Sequence, residues 1–303
     1  MNKIFVNVYK ALRKLKFLDY LSDRDYLRFS YRILTGKKLD LDNPKTFGEK
    51  LQWLKLHDRD PRYIKLVDKY AVKKYVADII GEEYIIGNLG VWNSFDDIDF
   101  NALPNQFVLK CTHDSGGLVI CRDKNKFDFK VAKSRIEKAL KKNYYFRGRE
   151  WPYKNVPKKI IAEKYMSDFE GNDLRDYKFY CFSGKPVYCQ VISNRFTKET
   201  IDFYDMNWKP QPFNGYAIPN KPKSDSVIKP PRRFDEMIKI AETLSYDMAF
   251  LRVDLYEIRG KIYFGELTLY PASGFGSFYP EKWNGVFGKL VDLSRISSIR
   301  KKK

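Results

Sequence analysis

The stretch Ala249-Phe250-Leu251-Arg252-Val253-Asp254-Leu255-Tyr256-Glu257-Ile258-Arg259-Gly260-Lys261-Ile262-Tyr263-Phe264-Gly265-Glu266-Leu267-Thr268 decides how this chain folds. Two runs of alternating character flank a glycine-containing turn, which predicts a β-hairpin. Alternate residues of a strand share a face, so Leu251, Val253 and Leu255 point one way and Arg252 and Asp254 the other. On the returning strand Tyr263, Leu267 and Leu269 join the apolar face, leaving Glu266 and Thr268 opposite. A three-residue loop, Arg259-Gly260-Lys261, pairs Ile258 with Ile262, Asp254 with Glu266 and Arg252 with Thr268. A two-residue loop would put the two carboxylates on opposite faces and split the apolar set, so the three-residue loop is favoured. Two carboxylates paired directly across a sheet repel. A divalent cation between them removes the conflict, and oxygen ligands of this kind suit magnesium. Arg252 beside them suits the stabilisation of phosphate oxygens.

Two upstream stretches bear on the same chemistry. In Phe107 to Ile120 a strand ends at Lys110, a polar loop holding Ser115, Gly116 and Gly117 follows, and a second strand begins. Such a loop exposes backbone N–H groups to phosphate oxygens, and Lys110 adds a point charge. The spacing matches neither a P-loop nor a dinucleotide-binding turn before a helix. In Ile160 to Met166 an apolar strand runs into Glu163, Lys164 and Tyr165, which suits backbone and side-chain contacts to a base edge.

Around these, 303 residues with 44% hydrophobic and 16% aromatic content supply an ample interior for two or three lobes. The longest apolar runs fall far short of a membrane span. Met1 to Lys16 shows neither an uninterrupted apolar run nor a small-residue cleavage site, which reads against a secretory signal. Cys111, Cys121, Cys181 and Cys189 lack zinc spacing and His57 and His113 stand apart, so reduced structural thiols in the cytosol are expected. The formal charge of +19 calls for an anionic partner. No nucleic-acid motif accompanies it. Ile4, Phe5, Val8, Leu12 and Leu15 have helical spacing with lysines between, which fits a helix packed on the body or one lying on an anionic membrane surface.

The rest reads as a mixed α/β (α+β) chain. Residues 1–40 are helical and basic. Thr46 caps a helix with Glu49 three residues later, and Pro61 opens a helix over 62–79. Strands are expected at Tyr84 to Ile86, Phe107 to Leu109, Leu118 to Ile120, Ile160 to Ala162, Tyr177 to Phe182 and Val187 to Ile192, besides the hairpin. Val131 to Lys142 and Asp235 to Ser245 are helical, and the six prolines between Pro210 and Pro231 demand a loop.

In order, Asn43 to Lys55, Val67 to Val76, Val108 to Gly117, Ile161 to Met166, Asp176 to Pro186 and Arg252 to Gly274 resemble the ATP-grasp superfamily, in particular the TupA-like ATP-grasp proteins of surface-polysaccharide synthesis. The resemblance implies an ATP-grasp fold, with nucleotide held between a small strand lobe and a larger C-terminal antiparallel-sheet lobe. It places a basic helical region at 1–60, the N-terminal and small lobe with its phosphate loop at 61–166, and the C-terminal lobe with its metal site at 167–303. Lys110, Ser115, Gly116 and Gly117 then meet nucleotide phosphates, and Glu163 and Tyr165 form the adenine hinge. Asp254 and Glu266 hold magnesium, Arg252 stabilises the transferred phosphoryl group, and Lys178 and Arg195 contact phosphate or substrate. Thr268 stands where many relatives have asparagine, which weakens a second metal position. Ser273 and Gly274 are placed beside the acceptor.

The implied activity is ATP-dependent ligation of a carboxylate to an amine, for which no nucleophilic serine or cysteine is needed. The substrates implied are a sugar acid or amino acid, with a lipid-linked or polyanionic glycan as acceptor and the inner membrane face as a peripheral contact. A metal-dependent glycosyltransferase is the alternative. Asp58-Arg59-Asp60 and Asp97-Ile98-Asp99 have the short acidic spacing it wants, but neither follows an apolar strand.

Overall fold

The computed structural model describes residues 3–167, 174–195, 197–216 and 221–296, with the side chains of residues 3–6 excluded. Ile4 and Phe5 of the amphipathic pattern and the basic stretch from Arg300 to Lys303 therefore lie outside the described side chains.

Three hydrophobic cores organise the chain. The first gathers α1 (Lys3–Lys14) and α2 (Asp23–Thr35) around Tyr9, Tyr26, Leu27 and Tyr31. In α1 it is Tyr9 that is buried, its hydroxyl 3.3 Å from those of Tyr26 and Ser30. Val8 and Leu15 of the expected apolar stripe stay exposed. Next comes α3 (Phe47–His57), opened by the expected capping box: Glu49 N–H donates to Thr46 Oγ1 and Thr46 N–H to Glu49 Oε2.

The helix expected over 62–79 is two helices, α4 (Arg62–Val67) and α5 (Ala71–Ile80). The Asp68 carboxylate accepts the N–H groups of Tyr70 and Ala71 at 2.8 and 3.3 Å, offering the backbone a competing partner. The strand expected at Tyr84 to Ile86 is instead a single 3₁₀ turn at Glu82–Tyr84 followed by an irregular segment.

The second core belongs to an antiparallel sheet of order β1-β4-β2-β3: β1 (Asn88–Trp92), β4 (Ile160–Lys164), β2 (Phe107–Cys111) and β3 (Leu118–Cys121). The helix α6 (Phe129–Leu140) covers one face through Ala132, Ile136 and Ala139, and the short α7 (Tyr145–Gly148) follows it.

The third and largest core lies on an antiparallel sheet of order β10-β9-β5-β6-β7. Its strands are β5 (Asp176–Phe182), β6 (Lys185–Ser193), β7 (Thr200–Asp205), β9 (Phe250–Ile258) and β10 (Lys261–Thr268). The sequence reading missed β7, although Ile201 and Phe203 alternate in it and both are buried. Phe179 and Cys181 of β5 turn to the face covered by α8 (Phe234–Ser245), where Phe179 stacks on Phe234 and Cys181 Sγ reaches Ala241 O. The proline-rich segment is largely loop, with one short pair between β8 (Asn214–Gly215) and β11 (Phe278–Tyr279). After β11, α9 (Trp283–Leu290) packs Phe287 among Phe47, Phe182 and Phe278. All four cysteines are buried free thiols.

The hairpin itself departs from expectation in an instructive way. Ile258 pairs with Lys261, so the loop is the two residues Arg259 and Gly260, with φ of 54° and 74°. Two positive φ angles are what a tight hairpin turn matching the strand twist requires. The register then slips by one residue between Phe264 and Glu266, and the pairs Asp254–Glu266 and Arg252–Thr268 form after all. Gly265 is the bulged residue. It switches the buried set from Ile262 and Phe264 to Leu267 and Leu269, so Phe264, not Tyr263, belongs to the core.

A Cβ at Gly265 would lie 2.8 Å from Tyr256 Cε2 and 3.0 Å from the Asp254 carbonyl oxygen. Gly265→Ala is therefore expected to cost about 1–3 kcal/mol. Chemical denaturation reads this, and unchanged stability would show that the bulge tolerates a side chain.

Candidate active site

The two larger sheets face each other across a cavity of about 280 Å³. From the small sheet come Lys110, at the end of β2, and the loop Ser115, Gly116 and Gly117 that leads into β3. Glu163 of β4 completes that wall, and Arg195, Gly265 and Glu266 face it from the large sheet. The slip at Gly265 thus puts Glu266 on the wall of this cavity.

The phosphate-type loop is tied at both ends. Cys111 N–H donates to Gly117 O at 2.7 Å, and Gly117 N–H to Asp114 Oδ2 at 2.9 Å. A Cβ at Gly117 would lie 2.8 Å from Cys111 Sγ, so this turn closes only with glycine.

Glu163 sits between two ammonium groups, Lys73 Nζ at 2.6 Å and Lys110 Nζ in direct contact. Burial alone would raise its pKa, but the two lysine charges outweigh that and hold the carboxyl below its ordinary value. Lys73 was not anticipated, nor was Lys69, whose ammonium group meets the Asp114 carbonyl oxygen and also lines the cavity. Both stand in the Val67 to Val76 stretch, one on each side of the start of α5. The break at Asp68 aims them at the cleft. Tyr165 does not line the cavity; the Arg122 guanidinium lies 6.0 Å from its ring centroid.

Behind Glu266 lies a buried ionic chain. Lys178 pairs with Asp254 across β5 and β9, and its ammonium group contacts that carboxylate directly. Arg252 grips the same carboxylate with Nε at 2.7 Å and Nη2 at 2.8 Å. Burial raises Asp254's pKa, yet Arg252 and Lys178 prevail and keep it below the ordinary carboxylate range. Arg252 Nη2 also donates to Thr268 Oγ1 at 2.9 Å and stands 3.7 Å from Glu266 Oε2. Lys178 continues to Asp176 at 3.6 Å, which holds Arg195 in direct contact. Asp176 is a further member that sequence reasoning did not single out.

Magnesium takes one or two protein carboxylates and fills its octahedron with phosphate oxygens and waters. Glu266 fits that role directly, since it faces the cavity and its side chain is 42% exposed. Asp254 Oδ2 is taken by Arg252 and Lys178, whereas Oδ1 accepts from Arg252 Nε alone, so Oδ1 is the oxygen through which Asp254 could join Glu266. Among the described residues no group of three or more His, Cys, Asp or Glu could hold a metal by itself.

Ser273 and Gly274 lie apart from this cavity, in a turn where Ala272, Ser273 and Gly274 all have positive φ (47°, 51° and 67°). The turn is anchored by the fully buried Lys55, whose Nζ donates to Ser273 O at 2.8 Å, Ser273 Oγ at 3.0 Å and Gly148 O at 2.6 Å.

The two D-x-D stretches are spent locally. Asp58 accepts from the Tyr63 hydroxyl, Asp60 from Arg62 N–H, Asp97 from Ser94 N–H and Asp99 from Asn101 N–H.

The model of the TupA-like ATP-grasp family matches residues 49–292. The chain belongs to this family. Family membership makes it an ATP-dependent ligase with the ATP-grasp fold, and the paired antiparallel sheets with a cavity between them are its form here. Similar solved structures include the D-alanine–D-alanine ligase of Bacillus anthracis complexed with ATP, at 19% identity and a TM-score of 0.46, over 79% of this chain and 67% of that one. The Helicobacter pylori D-alanine–D-alanine ligase has 12% identity and a TM-score of 0.44, over 84% and 67%. A RimK domain ATP-grasp protein of Sphaerobacter thermophilus has 11% identity and a TM-score of 0.39, over 76% and 67%. No curated protein matches this TupA-like chain. Among its described residues no helix is long and apolar enough to cross a membrane.

Proposed function

We propose that this ATP-grasp protein joins a carboxylate to an amine through an acyl phosphate, with a sugar acid as the carboxylate, in capsule or cell-surface polysaccharide synthesis. The observation that carries the reading is the cavity in which Lys110, Lys73 and the Ser115–Gly117 loop face Glu266 and Arg195. Cations and exposed N–H groups on one wall suit nucleotide phosphates, and a carboxylate on the other suits a metal carried in with them. Residues 61–166 would form the lobe that closes on the nucleotide, and 167–303 the lobe that holds the metal, with 1–60 as a helical support.

In this scheme a substrate carboxylate oxygen attacks the γ-phosphorus and ADP leaves. The amine nitrogen then attacks the acyl carbon and phosphate departs. Lys110 and Lys73 neutralise phosphate charge, and Glu163 holds both ammonium groups apart and aimed before nucleotide arrives. Because that side chain is spent on the lysines, the adenine contacts fall to the backbone of residues 163–165. Magnesium, held by Glu266 with Asp254 and the Thr268 hydroxyl behind it, would supply charge neutralisation at the transferring phosphoryl group. Arg252 and Lys178 fix Asp254, and Arg195 faces substrate. The exposed Val8, Leu15, Phe17 and Tyr20 beside basic residues of the N-terminal helix support peripheral contact with an anionic membrane face.

The test is ADP release measured over pairs of sugar acids or amino acids with amines. Lys110→Ala is expected to lower it about 100-fold, the usual scale for losing one preorganised charge. If no pair stimulates ADP release by the wild type, or Lys110→Ala is as active as the wild type, this reading fails.

A further inference from the structure

Two pieces of left-handed backbone meet near the end of β10. One is the turn of Ala272 and Ser273, at φ of 47° and 51°, a few residues beyond Glu266. The other is Arg149, at φ of 55°, which stands between α7 and Glu150. The buried Arg149 guanidinium is held there by the carbonyl oxygens of Leu18, Asp19 and Leu21 at 2.9, 3.1 and 3.1 Å. Non-glycine residues keep such a conformation only where their surroundings over-determine it, and they gather at functional sites. A Cβ at Gly148 would lie 1.9 Å from Ser273 Oγ and 3.5 Å from Glu150 Oε1, so the chain leaves this space to those two side chains.

Glu150 is 7% exposed, and among the described residues no lysine or arginine forms an ion pair with it. A carboxylate is seldom buried without such a partner. The nearest candidate, Lys55, has all three N–H donors in use, on Gly148 O, Ser273 O and Ser273 Oγ. Glu150 therefore keeps lone pairs for another cation. Tyr144 hydrogen-bonds Ser115 of the phosphate-type loop and faces the charges of both Glu150 and Glu266. Tyr153 stands likewise among Glu150, Glu266 and Asp114. Glu150 is thus within electrostatic reach of both walls of the cavity. The other carboxylates there are committed: Glu163 to Lys73 and Lys110, Asp254 to Arg252 and Lys178, Asp176 to Arg195.

We propose that Glu150 is the catalytic base of the ligation, receiving the ammonium group of the second substrate and taking its proton. The proposal rests on the ligase reading above and adds the residue that makes the amine nucleophilic. In the step, one N–H proton passes to the Glu150 carboxylate, and the freed nitrogen lone pair forms the C–N bond at the acyl carbon. The C–O bond to phosphate then breaks, and the departing phosphate oxygen takes that electron pair and the surplus proton of the nitrogen. The charged and titratable groups that face Glu150 are Lys55, Arg147, Tyr144, Tyr153, Tyr270 and Glu266. Burial pushes its carboxyl above the ordinary range, and Glu266 adds to the push. Lys55, the Ser273 hydroxyl and Arg147 pull it back without cancelling the rise. A carboxylate so placed accepts a proton more readily than one in water.

The experiment supplies the full chain with ATP and glucuronate, galacturonate or N-acetylglutamate, and offers two kinds of nucleophile. One is an alkyl amine (glycine, ethanolamine or lysine). The other is hydroxylamine, which is unprotonated at neutral pH and traps an acyl phosphate without a base. Glu150→Gln is expected to lower the ratio of alkyl-amine product to hydroxamate about 100-fold at neutral pH. The deficit should shrink as pH rises and more amine arrives unprotonated. In the wild type the alkyl-amine reaction should fall on the acid side as Glu150 protonates, and Ser273→Ala should move that fall to higher pH. The double variant Lys55→Met, Glu150→Gln, in which both charges leave together, repeats the ratio measurement without an unpaired buried lysine. An unchanged ratio in both variants overturns the proposal, and so does a deficit that is the same at every pH. Hydroxamate formation by a wild type that makes no alkyl-amine product overturns it too. A wild type that forms neither hydroxamate nor ADP sinks the ligase reading itself.

Discussion

Replacing Asp254 with alanine is expected to cost about 3–5 kcal/mol of stability, whereas Glu266→Gln is expected to leave stability within about 0.5 kcal/mol and abolish most turnover. The two carboxylates face each other in one register, yet their surroundings differ. Asp254 is 2% exposed and contacts both Arg252 and Lys178. Removing it takes from two buried cations their closest carboxylate, leaving Lys178 only Asp176 at 3.6 Å and Arg252 only Glu266 at 3.7 Å, and that weakened compensation is the source of the loss. Glu266 has a side chain that is 42% exposed, stands 3.7 Å from Arg252 and lines the cavity. Its loss leaves no buried charge without a partner. Its effect should therefore appear in ADP release, by about 100-fold or more. Thermal denaturation and a coupled ADP assay on both variants separate the roles. Equal stabilities for the two variants would refute the division.

The second large effect is expected at Lys55. Its ammonium group is fully buried, donates to Gly148 and Ser273, and lies 4.8 Å from the ring centroid of Phe275. Burial pulls its pKa down to about 7, and the charge of the buried Glu150 opposes that fall. Glu150 is affected in the opposite sense: burial pushes its carboxyl up and Lys55 pulls it back. Lys55→Ala should cost about 3–5 kcal/mol, because it leaves the carbonyl oxygens of Gly148 and Ser273 without their donor and the buried Glu150 carboxyl without the nearby positive charge. It should also release the Ala272–Gly274 turn, whose two non-glycine residues sit in left-handed backbone that costs about 1–2 kcal/mol each. The double variant Lys55→Met, Glu150→Gln should recover much of the stability, since both charges leave together. Urea denaturation of the single and double variants checks this. A single variant as stable as the wild type would show that the pair carries no weight.

How far the site was legible depends on how local each signal is. Leu251, Val253 and Leu255 alternate with Arg252 and Asp254, and the structure buries the first set completely. The pairing of Asp254 with Glu266 was also legible, though the route was not. Keeping the apolar residues on one face without a break in register favoured a three-residue loop, whereas the chain uses a two-residue turn and a bulge. The signal was present: the apolar residues shift from Ile262 and Phe264 to Leu267 and Leu269, and Gly265 stands where the parity changes. A helix over 62–79 was a reasonable periodic reading, but Asp68 takes two backbone donors and ends it.

The sequence by itself determined the hairpin's two faces, the Lys110 and Ser115–Gly117 loop and membership in the ATP-grasp family, because periodicity, turn residues and motif order are properties of neighbours along the chain. Only the tertiary structure decided that Lys73 shares Glu163 with Lys110, that Lys178 closes on Asp254, and that α1 and α6 set their lysines across one groove. Those contacts join segments tens to more than a hundred residues apart, and only the packing of the three cores brings them within reach. The cost of burying Glu163, Lys178 or Asp254 alone is what makes the first two pairings specific once packing has made them possible.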